Sequence, residues 1–475
     1  MEEPLFDNVR LRKDTFYFLY VGELRAYGLS VLLRESLAKT LGRPVDFIAI
    51  APDVFEAYAH ENLVVINPYA LRLSAQLGQR ASCRTPSRAF AALVSGHPYV
   101  LRLVNDLLAI QNQLFVYMYE SLPEMTLDRI AGVSILGPDK NVARAWNNRL
   151  YQQEKLTGVV PLPESRTCRG LRELTVVATE MLRVWPDGIF ISLPFSAAGE
   201  GSTIVHSRPE IEKKVGRLLG GRDLRTIISQ YIPNYCAPTV LAVVANEADV
   251  YIANVADQNI VGGNKFRGSE FPSALPARLL TEVKEYARKV GSKLGQAGYR
   301  GIFGCDFIVD HDQNLFLVEV NARKLGTTTE TCCALENLLP RGSPSLPELE
   351  YFAVTENRFP ANVTELDEQA GNIHWGTYNY KLEEDVSTRS SVPQRVDERE
   401  MFQAFAAGRS PGGQFGVFEH IGANCVVKAG SFLSRIVAVG GDHDAVQRGL
   451  EAGKAQTRAS IAKEGVVSDD HTSGS

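Results

Sequence analysis

The chain has 475 residues, of which 45% are hydrophobic, and carries 50 Lys and Arg against 55 Asp and Glu, a net charge of −5. That length suggests about two to four domains with sizeable cores, and the composition excludes a disordered or fibrous chain. The mildly acidic balance provides no basic footprint, so nucleic acid is not expected as a partner.

The first residues, MEEPLFDNVRLRKD, are charged from the second position onward, and no secretory signal is expected. Runs at 14–21, 45–50, 63–67, 114–119 and 133–136 read as buried strands, with helical spacing at 29–41. This alternation predicts an N-terminal α/β domain over 1–140. After Gly137-Pro138-Asp139 the pattern predicts one helix over 140–157, then a helix over 171–184 and a strand over 188–193. A small-residue loop covers 195–202, and strands are predicted at 225–232, 239–245 and 249–254. The longest uncharged stretch, 226–246, is interrupted by Pro233, Asn234 and Pro238. A membrane helix needs about 20 mainly apolar residues, so no membrane span is expected. A long amphipathic helix at 276–297 leads into a hairpin at 301–321, and a proline-rich hinge at 338–350 marks a boundary. A core domain over 141–342 and a C-terminal domain over 343–465 follow from these limits. The C-terminal part has strands near 414–420 and 432–439, a charged helix at 442–464, and a disordered tail at 466–475. The seven cysteines are scattered without a C-x-x-C spacing, which suits a reducing cytoplasm better than a disulfide framework or a zinc site.

The hairpin is the most informative segment. A two-residue turn at Asp312-Gln313 would set Asp306 opposite Glu319. Side chains alternate along a strand, so Phe307, Val309, Val318 and Val320 share an apolar face, and Asp306, Glu319, Asn321 and Arg323 share the other. Two carboxylates roughly 5 Å apart repel unless a proton or a cation lies between them. Hard oxygen ligands beside an amide suit Mg²⁺, which takes phosphate oxygens and water as its remaining ligands. The alternative is a solvated sheet face with a chance acidic pair, which the neighbouring Arg323 and the wholly apolar opposite face disfavour.

These residues resemble the signature of the ATP-grasp superfamily, roughly G-x-D-F-I-x-D, a turn, then E-x-N-x-R. The chain reads Gly304-Cys305-Asp306-Phe307-Ile308-Val309-Asp310, then Glu319-Val320-Asn321-Ala322-Arg323, and the resemblance covers about 140–340. It implies an α/β (α+β) chain with an ATP-grasp fold. It further implies that Asp306, Glu319 and Asn321 hold Mg²⁺, with Mn²⁺ as an alternative occupant, on the phosphates of ATP. Arg323 would stabilise the transferring phosphate or the tetrahedral intermediate. The loop Ser196-Ala197-Ala198-Gly199-Glu200-Gly201-Ser202 is similar to the phosphate-covering loop of that superfamily, its glycines allowing close backbone approach. In particular Ser196, Gly199, Glu200, Gly201 and Ser202 are candidate nucleotide contacts. Gln230, Tyr231 and Ile232 occupy the adenine hinge, where the Gln230 carbonyl and the two following backbone units would meet the ring edge.

The chain departs from the superfamily where Leu193 replaces the usual Lys ahead of that loop. Arg149, in Trp146-Asn147-Asn148-Arg149, aligns with an upstream lysine and offers bidentate phosphate contacts instead. Lys265 and Arg267 are further basic candidates, although a solvated loop is the plainer reading of either alone. His206, His311 and His374 do not cluster, and no Ser/His/Asp or Cys/His arrangement is visible.

In the ATP-grasp pattern the γ-phosphate moves to a substrate carboxylate and an amine then displaces it from the acylphosphate. The order of domains resembles that of the pheganomycin-type peptide ligases, which join a guanidino-bearing, non-proteinogenic acid to the N-terminal amine of a peptide. That resemblance implies a small-molecule carboxylate and a peptide amine as substrates. A ligase with another amine or a thiol, a small-molecule kinase and a non-catalytic nucleotide-binding regulator remain alternatives. The aromatic segment 372–380 is either a recognition surface or, slightly favoured, a strand with its aromatics in the core.

Overall fold

The computed structural model describes residues 3–24, 27–53, 61–197, 200–219, 224–233, 235–361, 363–366, 371–392 and 397–461. The tail expected at 466–475 lies outside them. Three main sheets surround one central space.

The first is six-stranded, in the order Phe6–Asp7, Leu63–Val65, Val45–Ala51, Phe16–Val21, Leu114–Met118, Val133–Leu136, and parallel except at its first pair. Its central strands are buried along their whole length, which is why they read as unbroken apolar runs in the sequence. The second is a four-stranded antiparallel sheet in the order Glu200–Val205, Ile189–Ala197, Arg225–Gln230, Ser165–Arg169. Helices Gly170–Val184 and Arg208–Leu219 cover it through Leu174, Ala178, Ile211 and Val215. The segment 195–202, read as a loop, is instead largely hairpin, because the strands from 189 and to 205 continue into it. The helix at 208–219 escapes the sequence reading altogether.

The third sheet is antiparallel and eight-stranded: Leu315–Asn321, Gly301–Val309, Pro238–Val244, Val250–Val261, Lys265–Phe271, His374–Lys381, Phe432–Gly440, Gln414–Phe418. The helix Ala277–Gln296 lies on one face, burying Leu279, Val283, Val290 and Leu294 against Phe303, Cys305 and Phe307. The strands beyond residue 343 thus extend the core sheet. Lys265–Phe271 is a strand where a solvated loop was expected, and His374–Lys381 pairs with it, burying Trp375 against Phe271 (ring centroids 5.7 Å apart). The contact between those two strands is close enough that a Cβ on Gly268 would lie 1.9 Å from the Thr377 carbonyl oxygen. The proline-rich segment near 338–350 leads into a capped helix. Ser345 caps the helix Leu346–Glu356, and that helix buries Glu350 against Lys324 (2.8 Å).

A second buried charge cluster fastens the C-terminal strands to the helices Thr328–Leu338 and Glu398–Ala406. Arg435 meets Glu330 (2.5 Å), Glu398 (2.6 Å) and Glu419 (3.4 Å). Three carboxylates share one guanidinium. Burial, and next the charge of Glu398, push the Glu330 carboxyl up to about 8. Its pKa is therefore higher in the folded chain than in the unfolded one, and its contribution to stability is full below the ordinary carboxylate range and lost as pH rises toward 8. Denaturant unfolding at pH 5 and pH 8 is expected to show that Glu330→Gln loses less stability across the interval than the parent chain. Equal losses would remove this assignment.

Candidate active site

The hairpin Gly301–Val309/Leu315–Asn321 sets Asp306 opposite Glu319, as the spacing predicts, but by a different route. The turn is longer than two residues. The Asp310 carboxylate accepts the N–H groups of Asp312 (2.9 Å) and Asn314 (2.8 Å), and Gln313 takes a positive φ of 64°. Pairing from the turn inward is consequently one residue out of the expected register, and a bulge between Asp306 and Phe307 restores it. The bulge expels Val318, which is 38% exposed, so the expected apolar face is made by Cys305, Phe307, Val309 and Val320 without it.

Asp306 is enclosed by donors. Its Oδ1 accepts from Thr239 Oγ1 (2.7 Å) and Gln258 Nε2 (2.8 Å), and its Oδ2 accepts from Asn321 Nδ2 (2.8 Å). Burial and then the facing Glu319 push the Asp306 carboxyl above the ordinary aspartate value, against the pull of those hydrogen bonds. Glu319 itself meets Arg149 at 3.0 Å. Asn321 Oδ1 accepts from Arg323 Nη2 (2.7 Å), and Arg323 Nη1 donates to the Tyr119 hydroxyl (3.0 Å). No cluster of three or more His, Cys, Asp or Glu able to hold a metal occurs among the described residues. A cation here would be bound by the Asp306–Glu319 pair and the remaining lone pair of Asn321 Oδ1, with outside oxygens completing its shell. That donor set fits Mg²⁺.

The expected helix over 140–157 is two helices, Lys140–Trp146 and Arg149–Leu156, broken at Asn147 and capped by the Asn148 side chain on the Leu150 N–H (3.0 Å). The break fixes the site. Asn147 Oδ1 accepts the Ala322 N–H (2.8 Å), while its Nδ2 donates to Glu120 (2.9 Å). One turn on, Gln152 accepts the Val320 N–H (2.9 Å) and donates to the Val320 carbonyl (2.7 Å). These amides hold the strand that carries Glu319 and Asn321 against the helix that carries Arg149. Among the described residues, Arg149 Nε is buried with no hydrogen-bond partner.

A cavity of about 530 Å³ joins these groups to the hinge. Gln230, Tyr231, Ile232, Ser202, Lys265 and Arg267 also line it. The Tyr231 N–H is already donated to the Gly188 carbonyl (3.1 Å), which leaves the Tyr231 carbonyl and the Ile232 N–H as the backbone groups there. Gly201 has a φ of 80°, and Asn264 reaches the Ser202 carbonyl (3.3 Å). Gly199 and the side chains of Ser196 and Glu200 lie outside the described residues. Leu193 is half-buried beside the core of the four-stranded sheet. Lys265 and Arg267 are held by Glu383 (3.1 and 2.7 Å) from the C-terminal part. Thr239, Gln258, Asn147, Gln152, Tyr119 and Glu120 carry no local sequence signal and are missed by the sequence reading.

Residues 147–327 match the ATP-grasp domain family. The chain carries an ATP-grasp domain. The bounds of the match start at the helix break and end just after Arg323, so they enclose the hinge, the hairpin and Arg149. Two curated relatives are similar over part of the chain. L-propargylglycine–L-glutamate ligase of Streptantibioticus cattleyicolor is 32% identical over 90 residues, which are 19% of this chain and 18% of that protein. The butirosin acyl-carrier protein–L-glutamate ligase of Niallia circulans is 20% identical over 198 residues, 41% of this chain and 47% of that one. The chain therefore spans less than half the length of these relatives. Among solved structures, N5-carboxyaminoimidazole synthase of Aspergillus clavatus aligns with a TM-score of 0.58 at 14% identity, covering 94% of this chain and all of that one. Biotin carboxylase of Campylobacter jejuni aligns with a TM-score of 0.61 at 13% identity, over 94% and 91%. At these identities the shared feature is the fold, and it runs through almost the whole chain. No helix among the described residues is long and apolar enough to cross a membrane.

With Leu193 in place of a lysine, Arg149 is the cation of the ATP-grasp domain closest to Glu319. Arg149→Ala is expected to raise the ATP dissociation constant roughly tenfold to a hundredfold, the usual worth of a charge-assisted hydrogen bond. Calorimetric titration with the parent as reference measures it, and an unaltered constant would exclude Arg149 from nucleotide binding.

Proposed function

We propose that the chain is an ATP-dependent carboxylate–amine ligase. The observation that carries the reading is that Asp306, Glu319, Asn321, Arg323 and Arg149 meet in one cavity that the Gln230–Ile232 hinge also lines. Phosphoryl transfer needs charge neutralisation and positioning more than covalent help, and these residues supply both. Mg²⁺, held by Asp306, Glu319 and Asn321, would neutralise the phosphates of ATP. The hinge receives adenine through the Gln230 side chain, the Tyr231 carbonyl and the Ile232 N–H. Gly201 and Ser202, with Ser196, Gly199 and Glu200 on the strength of the sequence resemblance alone, are assigned to covering the phosphates. Arg149 contacts them from the opposite wall. Arg323, fixed by Asn321 and Tyr119, stabilises the negative charge that moves to the acylphosphate and then to its tetrahedral adduct.

Products are the amide, ADP and phosphate. Both curated relatives are named as ligases of L-glutamate, which supports an amino acid among the substrates. The finer reading is a guanidino-bearing, non-proteinogenic acid joined to the N-terminal amine of a peptide in a cytoplasmic biosynthetic route, as the likeness to the pheganomycin-type ligases implies.

Nucleotide chromatography after incubation with ATP, Mg²⁺, a pool of amino and guanidino acids and short peptides tests the reading. ADP that depends on both an acid and an amine, with a new amide mass, is the expected outcome. AMP would exclude an acylphosphate, and ADP with a stable phosphorylated product would make the chain a kinase. Glu319→Ala is expected to abolish the amide product, a loss of at least about a hundredfold for a group aimed at transition-state charge, with the melting temperature nearly unchanged. Turnover equal to the parent would remove the metal assignment.

A further inference from the structure

The six-stranded sheet reverses its order of assembly beside the strand Phe16–Val21. Val45–Ala51 and Leu63–Val65 follow on one side, and Leu114–Met118 and Val133–Leu136 on the other. In an open parallel sheet the loops leaving the carboxyl ends at such a reversal part, and the crevice between them receives ligands. Here those loops start at Gly22-Glu23 and Tyr119-Glu120, and both line the cavity that holds Asp306 and Arg323.

Glu120 is built into that crevice. One carboxylate oxygen is fixed by Asn147 (2.9 Å), and the neighbouring Tyr119 carbonyl accepts the Lys324 N–H (3.2 Å). The other oxygen makes no hydrogen bond to a described residue. The charges around it are Arg323, Arg88 and Glu124, and burial holds the carboxyl above the ordinary glutamate range in spite of the two arginines. A half-buried carboxylate at this spot repels an anionic substrate group and attracts a cationic one. None of the nucleotide or metal roles above uses it.

We propose that Glu120 receives the amine substrate, its carboxylate accepting an N–H of an incoming primary ammonium and taking that proton beside Arg323. The inference rests on the ligase reading. The freed nitrogen lone pair forms the C–N bond to the acylphosphate carbon, and the C–O bond to phosphate breaks with its electrons leaving on phosphate. Of the three ammonium protons, one goes to Glu120, one departs with phosphate, and one remains on the amide.

Hydroxylamine, uncharged at neutral pH, separates this role from all others, because it attacks an acylphosphate without a proton acceptor. The parent chain, Glu120→Gln and Glu120→Asp are each incubated with ATP, Mg²⁺, a pool of amino and guanidino acids, short peptides and hydroxylamine, and amide and hydroxamate products are measured in the same mixture. Glu120→Gln is expected to lower the amide-to-hydroxamate ratio on the order of a hundredfold, the scale of general-base catalysis, and to recover amide formation as pH rises. Glu120→Asp, which keeps the charge, is expected to restore most of the ratio. A ratio unchanged in both variants, or equal loss of both products in both, would overturn the assignment while leaving the ligase. A parent chain that forms neither product removes the ligase reading, and this inference with it.

Discussion

The site depends on one electrostatic constraint, the confrontation of Asp306 and Glu319 across neighbouring strands. The sheet register makes it unavoidable, because the strand pairing sets the two residues directly opposite. Three hydrogen bonds lower the cost on the Asp306 side and Arg149 lowers it on the Glu319 side, yet the Asp306 carboxyl stays above its ordinary value. Two carboxylates in this state fit the proposed cation, which would bring oxygen ligands with it. The orphaned Nε of Arg149 adds a second unmet demand, for an anion, at the same end of the cavity.

Precision at that end comes from amides rather than charges. Gln152 binds the backbone of Val320 through both ends of its side chain and Asn147 binds the Ala322 N–H through its Oδ1, so the strand bearing Glu319 and Asn321 is tied to the helix bearing Arg149. Asn147 also holds Glu120, in the loop that leaves the strand Leu114–Met118 of the first sheet. Two residues beyond Asn321, Arg323 reaches Tyr119 of the same loop, and Lys324 is paired with Glu350 in full burial beneath the Tyr117 ring (4.3 Å). Breaking such a buried pair by removing one partner costs about 3–5 kcal/mol, so this junction is a stiff one. The third wall comes from the C-terminal strands, which continue the core sheet and hold Lys265 and Arg267 through Glu383.

Much of this was legible in the residues alone. The buried parallel strands, the amphipathic helix at 276–297 and the acidic hairpin are local patterns, and period-two alternation is enough to bring Asp306, Glu319, Asn321 and Arg323 to one face. The hairpin shows how a right answer follows from compensating details. The longer turn shifts the register by one residue and the bulge shifts it back. The broken helix at 147–148 and the hairpin over the expected loop at 195–202 were not legible. In the first case a polar pair in a helical pattern gives no sign that one member will cap a helix and the other clamp a distant strand. In the second, strand propensity at small residues is decided by the partner strand.

The sequence by itself determined the charge set, the two apolar periodicities and the one hairpin on which four polar residues share a face, because these depend on neighbours within about twenty positions. Only the tertiary structure decided that Arg149 stands against Glu319, that Gln258 and Thr239 hold Asp306, and that Glu120 enters the same cavity. The contacts to Asp306 and Glu319 join residues from 48 to 170 positions apart. Their geometry is set by how three sheets pack, which no local pattern encodes.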